Sequence, residues 1–163
     1  MALIPAPLLR PLAGMPGQWQ NMEEYNAFTA HAGAVVAFGQ ALMKGATDDA
    51  VIPLTTGNKF VGIAQENIQT NGAPVNGVVT TYAIGDRMGV ADMGVIFVTV
   101  GAAVVKGNAV WYLPSDGRYY AATGTGRMLL PGCEFDQSVS TVGAVAPVKI
   151  RIRPGEAAIT AAA

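Results

Sequence analysis

Apolar and polar residues alternate in short runs along most of this chain, and the runs are separated by turns rich in glycine, asparagine and aspartate. Residues 82–122, YAIGDRMGVADMGVIFVTVGAAVVKGNAVWYLPSDGRYYAA, show the pattern most clearly. A period of two puts successive side chains on opposite faces of a pleated strand. It predicts strands at 34–38, 60–64, 78–84, 87–91, 95–100, 109–113, 118–122 and 148–153. In 95–100, Ile96, Val98 and Val100 take one face and Val95, Phe97 and Thr99 the other. Both faces are mostly apolar, as in a central strand buried on two sides. In 148–153, Val148, Ile150 and Ile152 face a core, while Lys149, Arg151 and Arg153 face outward. Asn71-Gly72-Ala73-Pro74, Asn76-Gly77, Lys106-Gly107-Asn108 and Ser115-Asp116-Gly117 are turn sequences. Thr47-Asp48-Asp49 and Thr55-Thr56-Gly57-Asn58 read as loops. Strands spaced about 8–12 residues apart predict a mainly β fold, a small antiparallel barrel or sandwich.

The ends break this pattern. Residues 1–20 carry Pro5, Pro7, Pro11 and Pro16, each of which removes a backbone donor and fixes φ, so neither a long helix nor a central strand forms there. Leu3, Ile4, Leu8, Leu9, Leu12 and Trp19 nevertheless make the segment too apolar for a solvated tail. An extended Pro-rich N-terminal arm is expected, lying on its own domain or on a neighbouring subunit. Residues 21–32 are expected to connect it to the body. Within 20–31 a short helix is predicted, with Asn21 as N-cap and Glu23 and Glu24 in the first turn, where the helix dipole favours acid. The β-domain is expected over 33–155 and a flexible tail over 156–163.

Composition changes what the surface is for. Only 13% of residues are charged and 51% are hydrophobic, against roughly 25% charge in an ordinary soluble domain. The chain is short of the charge a free monomer displays, so much of its surface is expected to meet partners. No apolar run reaches the ~18–20 residues of a spanning helix. Aromatic residues, at 7%, are too few for the girdles of a porin-like barrel. The net charge of −1 and the scattered Lys and Arg residues argue against phosphate-driven nucleic-acid binding. The N-terminus lacks a basic n-region, and its prolines interrupt any h-region, so no signal peptide is expected.

Candidate chemistry is sparse. His31 and Cys133 are the only residues of their types, which leaves no zinc set within one chain. His31 is expected near a helix end and Cys133 as a buried thiol. Asp48 and Asp49 read as solvated, and Asp86 as the cap of a turn. No calcium-loop, Walker or dinucleotide pattern is present. Glu134 and Asp136 share a strand face by spacing and are the one carboxylate pair open to a glycosidase reading. Trp111, Tyr112, Tyr119 and Tyr120 flank the 115–117 turn. Cross-strand packing is the ordinary reading of such a cluster, and a glycan platform is the alternative. No catalytic, cofactor-binding or metal-binding residues are expected. The residues assigned to partner binding are Leu3, Ile4, Leu8, Leu9 and Trp19.

Five segments occur in an order and spacing that point further: Phe60-Val61-Gly62-Ile63-Ala64, Tyr82-Ala83-Ile84-Gly85-Asp86, Gly94-Val95-Ile96-Phe97-Val98, Gly107-Asn108-Ala109-Val110-Trp111-Tyr112 and Leu130-Pro131-Gly132-Cys133-Glu134-Phe135. In these, across about residues 33–152, the chain resembles the structural cement, or head-decoration, proteins of tailed bacteriophages. The resemblance implies a non-enzymatic virion protein, made in the host cytoplasm, that binds the outer capsid surface. Its implied partners are the major capsid protein and other copies of itself, often as trimers, with no cofactor, no direct contact to nucleic acid and no membrane. The long arm departs from the plainer members.

Overall fold

The computed structural model describes residues 14–21, 24–67 and 80–152. Eleven strands and no helix occur among them: β1 (Asn26–Ala32), β2 (Val36–Ala37), β3 (Ala41–Lys44), β4 (Ala50–Pro53), β5 (Phe60–Ala64), β6 (Thr81–Tyr82), β7 (Arg87–Thr99), β8 (Ala109–Leu113), β9 (Arg118–Tyr120), β10 (Met128–Phe135) and β11 (Val145–Arg151). Strands β1, β4, β3, β5 and β7 are successive neighbours, and β1 also pairs with β7, which closes the five into a barrel. From β7 the sheet continues through β11, β10 and β8 to β9. β9 then returns to the far end of β7, where Val100 bridges Tyr119 and the Gly101 N–H donates to the Tyr119 carbonyl at 2.9 Å. Of the barrel-or-sandwich alternatives, the barrel is the one observed.

β7 holds the two halves together. Met88 and Val90 point into one cluster with Ala30, Ala32, Val36, Leu42, Val51, Ala64 and Tyr82. Ile96, Val98 and Val100, of the same parity, point into the larger cluster with Tyr112, Tyr119, Met128, Leu130, Phe135, Val148 and Ile150. The sequence predicts two strands, at 87–91 and 95–100, and one continuous strand is found. Asp92 and Gly94, which look like a break, are accommodated inside it. Asp92 sits at the surface and accepts two hydrogen bonds from the Asn26 side-chain amide, at 2.9 and 3.1 Å. Gly94 adopts φ 126°, and a Cβ there would lie 2.5 Å from the Trp19 ring.

The helix predicted within 20–31 is not formed. Asn26–Ala32 is instead strand β1, paired antiparallel along β7 from Asn26 opposite Met93 to His31 opposite Arg87. Local capping signals lose here to a long ladder on a buried neighbour, because helix propensity is a weak preference that tertiary pairing overrides. The predicted strands at 60–64 and 109–113 coincide with β5 and β8. The 34–38 strand is shortened to Val36–Ala37, and 118–122 to Arg118–Tyr120. Only Thr81–Tyr82 of 78–84 is strand among the described residues, while residues 68–79 lie outside them. β3 and β4 are too short to show a period. β10 hides its period behind Pro131 and Gly132, which sit where its register against β8 shifts, with Gly132 at φ 67°. Proline inside a sheet belongs at such a bulge because it cannot donate to the ladder.

Residues 17–20 extend the β1 edge of β7. Met93 pairs with Asn26 on one side and Arg151 on the other, and Ile96 likewise pairs with Trp19 and Val148. Trp19 and β1 therefore lie on the same edge of β7, opposite β11. The Gly17 and Gln20 N–H groups donate to the carbonyls of Phe97 and Val95, and the Phe97 N–H donates to Gln18. A turn closes at Met15, whose carbonyl accepts from the Gln18 N–H at 3.0 Å. Gly17 needs its glycine: φ is 82°, and a Cβ would meet the Glu66 nitrogen at 2.6 Å. The remaining predicted arm residues, Leu3, Ile4, Leu8, Leu9 and Leu12, lie outside the described residues.

Candidate functional site

The charged and nucleophilic residues are dispersed rather than gathered. Glu134 lies in β10 and Asp136 just beyond its end, and each faces a lysine. Lys149 lies 3.8 Å from Glu134, and Lys106 lies 3.3 Å from Asp136. His31 stands in β1, not at a helix end. Its Nδ1 is 3.3 Å from the Gly85 carbonyl and its Nε2 is 3.8 Å from Asp49. Cys133 is buried in the larger core. The Asp86 carboxylate accepts from the Ala83 N–H at 2.8 Å, which is the turn cap expected of it. Among the described residues no cluster of His, Cys, Asp and Glu has the makings of a metal site.

The loop aspartates are equally ordinary. A hydrogen bond from Lys44, reinforced by its charge, holds the Asp48 carboxyl below the usual carboxylate range. The Thr47 hydroxyl does the same for Asp49. Both carboxylates are solvent-exposed, so these pairs add little to stability.

The aromatic cluster is core, not platform. Tyr112 and Tyr119 are opposite each other on β8 and β9, both fully buried, with ring centroids 5.1 Å apart. Trp111 pairs across the hairpin with Tyr120. Tyr120 is buried too: its hydroxyl donates to Asp116 at 2.5 Å, and the Arg127 guanidinium stacks 3.7 Å over its ring. Trp111 alone of the four is half-buried, so these rings form no surface for stacking sugars.

Burial also sets how the tyrosines titrate. Desolvation pushes the Tyr82 hydroxyl up to about 12, with the charges of Glu66 and Asp86 adding to it. Desolvation raises Tyr112 as well, and drives Tyr119 well above the ordinary tyrosine value. A hydroxyl whose folded value is raised contributes stability that is complete below the unfolded value near 10 and is lost as pH rises through the folded value. Chemical-denaturation midpoints are therefore expected to hold to about pH 10 and then fall toward pH 12. Tyr82→Phe is expected to soften that fall; a profile flat across this window would contradict it.

What the surface does present is apolar. Ile84 is 71% exposed and Val35 60%. The two sit in adjoining turns, where the Gly85 N–H donates to the Ala32 carbonyl and the Ala32 N–H donates to Asp86. Val105 and Val142 also stand out, at 59% and 62%. A third group lies along the β1 edge. Tyr25 and Phe28 are exposed there, and the Tyr25 ring is 5.5 Å from Trp19. Trp19, predicted to bind a partner, is half-buried against its own core. The signal for these surface residues is weak in sequence, because a lone apolar residue in a turn looks the same whether it faces in or out.

Residues 9–153 match the family described as structural cement protein (E217 gp24/Pam3 gp6). The chain belongs to the structural cement protein family. The match covers all of the described fold from β1 to β11 and begins before the first described residue. A solved structure titled the capsid of Myoviridae phage XM1 contains a chain of the same fold, at TM-score 0.69 and 20% identity, over 93% of this chain and 98% of that one. A second, the head fiber gp8.5 N base in bacteriophage phi29, aligns at TM-score 0.44 and 15% identity, over 82% of this chain and 100% of that one. No curated protein sequence matches. Membership makes this cement protein a structural component of a phage virion, located with the capsid.

Proposed function

We propose that this cement protein binds the outer surface of the phage head and bridges neighbouring major capsid protein subunits, stabilising the DNA-filled shell. The observation that carries this reading is the family match over residues 9–153. The low charge and the exposed Val35, Ile84, Val105 and Val142 support it. Copies of the chain are the second proposed partner, as trimers at local three-fold positions. Leu3, Ile4, Leu8 and Leu9 are proposed to bury against neighbouring subunits. A shell filled with DNA is under outward pressure. Each bridging copy adds interface that must be broken before the shell opens, and many modest interfaces acting together give large avidity.

Cryo-electron microscopy of the source virion tests this. Density for the chain on the outer shell, spanning adjacent capsid subunits, is the expected result. Density confined to the tail or fibres, or none, would overturn it. The alternative of a host-glycan site made by Trp111, Tyr112, Tyr119 and Tyr120 has no support in their burial. A glycosidase built on Glu134 and Asp136 has none in their pairing with Lys149 and Lys106.

A further inference from the structure

The β2–β6 ribbon carries apolar residues on both of its faces, and only one face is buried. The two strands pair antiparallel, with Val36 opposite Tyr82 and Ala37 opposite Thr81. Val36 and Tyr82 turn inward and join the smaller core. Alternation sends their neighbours outward. Ala37 and Thr81 are exposed, and so are Val35 and Ala83, which the same register sets opposite each other. Ile84 comes next and is exposed as well. An antiparallel ribbon with one face on a core ordinarily carries polar residues on the other. Here that outward face is Val35, Ala37, Thr81, Ala83 and Ile84, with no charge among them.

Ile84 is held out on a braced turn. Residues 83–86 close with the Asp86 N–H donating to the Ala83 carbonyl at 3.1 Å, and Gly85 has φ 90°. A positive φ at the third position is the type II form, which puts Ile84 at the corner. The Asp86 carboxylate accepts from the Ala83 N–H at 2.8 Å. The Gly85 N–H donates to the Ala32 carbonyl at 2.7 Å, and His31 Nδ1 lies 3.3 Å from the Gly85 carbonyl. His31 and Ala32 belong to β1, so the turn is tied to the barrel. An apolar corner fixed in advance loses little freedom when a partner covers it.

Size and charge decide what covers the face. Two strands roughly 5 Å apart and a few residues long present far less than the ~800 Å² per partner of a stable two-body interface. A dimer of this chain cannot rest on it. A lattice can, because each copy needs only a weak contact when many act together. The partner surface has to be apolar too, since a charge seated against this face would lose its water and gain no counter-charge.

We infer that the outward face of the β2–β6 ribbon, with Ile84 as its anchor, seats on an apolar patch of the major capsid protein. The seat rests on the cement reading and deepens it by naming the face of the body that meets the shell.

Ile84→Ser combined with Val35→Ser tests the seat, by co-sedimentation of the full-length protein with expanded capsids assembled without it. Burying the exposed part of either side chain is worth roughly fivefold in affinity or more, so binding is expected to weaken at least about tenfold. The melting midpoint is expected to stay at the parent's, because both changes are at the surface. Val105→Ser combined with Val142→Ser, which removes two exposed valines elsewhere, is the control and is expected to bind as the parent does. Parent-like binding by the Ile84 and Val35 variant, or an equal loss in the control, would overturn the seat and leave the cement reading standing. A parent that does not sediment with capsids would overturn the cement reading itself, and the seat with it. Sedimentation velocity is expected to give one oligomeric state with and without the two substitutions. Dissociation of a parent oligomer would assign the face to contacts between copies of the chain and overturn the capsid seat.

Discussion

Tyr119→Ala is expected to lower the thermal midpoint of this protein by roughly 6–20 °C, because truncating a fully buried aromatic costs about 3–5 kcal/mol and each kcal/mol moves a protein of this size by about 2–4 °C. Tyr119 is fully buried, and its ring lies against Tyr112. Its hydroxyl donates to the Gly39 carbonyl at 2.7 Å, across 80 positions of sequence. Its own carbonyl takes the Gly101 N–H, and its backbone bridges Val100. The backbone of Tyr119 ties the β8–β9 hairpin to the end of β7, and its side chain ties the hairpin to the turn leading into β3. Alanine leaves a cavity and deprives the buried Gly39 carbonyl of its donor. Tyr119→Phe separates the two effects. It keeps the ring and loses only the hydrogen bond, for about 1–3 kcal/mol. Differential scanning calorimetry of the three proteins checks this. A Tyr119→Ala midpoint equal to that of the parent would mean that the two halves do not depend on this contact.

Deleting residues 2–13 is expected to weaken binding to expanded capsids at least about tenfold while leaving the melting of the body unchanged. A fully buried Leu or Ile side chain is worth about 1.5–3 kcal/mol, and tenfold is about 1.4 kcal/mol. The expected loss is thus met even if ordering the arm cancels most of the gain from Leu3, Ile4, Leu8 and Leu9. The cut has to stop at residue 13. Residues 17–20 hydrogen-bond to Val95 and Phe97, Gly14 covers the Phe97 ring, and Trp19 fills the space left at Gly94. Removing 14–20 as well would strip an edge from β7 and destabilise the body, confounding attachment with folding. Capsid co-sedimentation across a concentration series, alongside calorimetry, distinguishes the two. Unchanged binding by the shorter deletion would place the capsid contact on the body instead, with the exposed Val35 and Ile84 as the next residues to test.

The period-two pattern, the turn residues and the apolar content by themselves determined that this chain is a β protein. They placed β5 and β8 at their observed bounds, marked 95–100 as doubly buried, and assigned the inward and outward faces of Val148, Lys149, Ile150 and Arg151. These features were legible because alternation and turn chemistry are local, and a strand with one or two buried faces writes its burial into its own residues. The order of the five motif segments identified the family.

Tertiary structure decided what depends on distant partners. Asn26–Ala32 follows the capping signals of a helix at Asn21, Glu23 and Glu24 yet becomes a strand, because β7 offers it an antiparallel ladder. β7 runs unbroken through Asp92 and Gly94 because Asn26 satisfies the one and Trp19 occupies the space beside the other. Trp19, which the sequence leaves open to pack on its own domain or on a neighbouring subunit, packs on its own core. Tyr112, Tyr119 and Tyr120, which a sequence can read as a surface platform, turn inward because β9 closes back onto Val100 and Gly101. Pairing energy is set by which edge a segment meets and which face that edge leaves uncovered, and neither is a property of the segment itself.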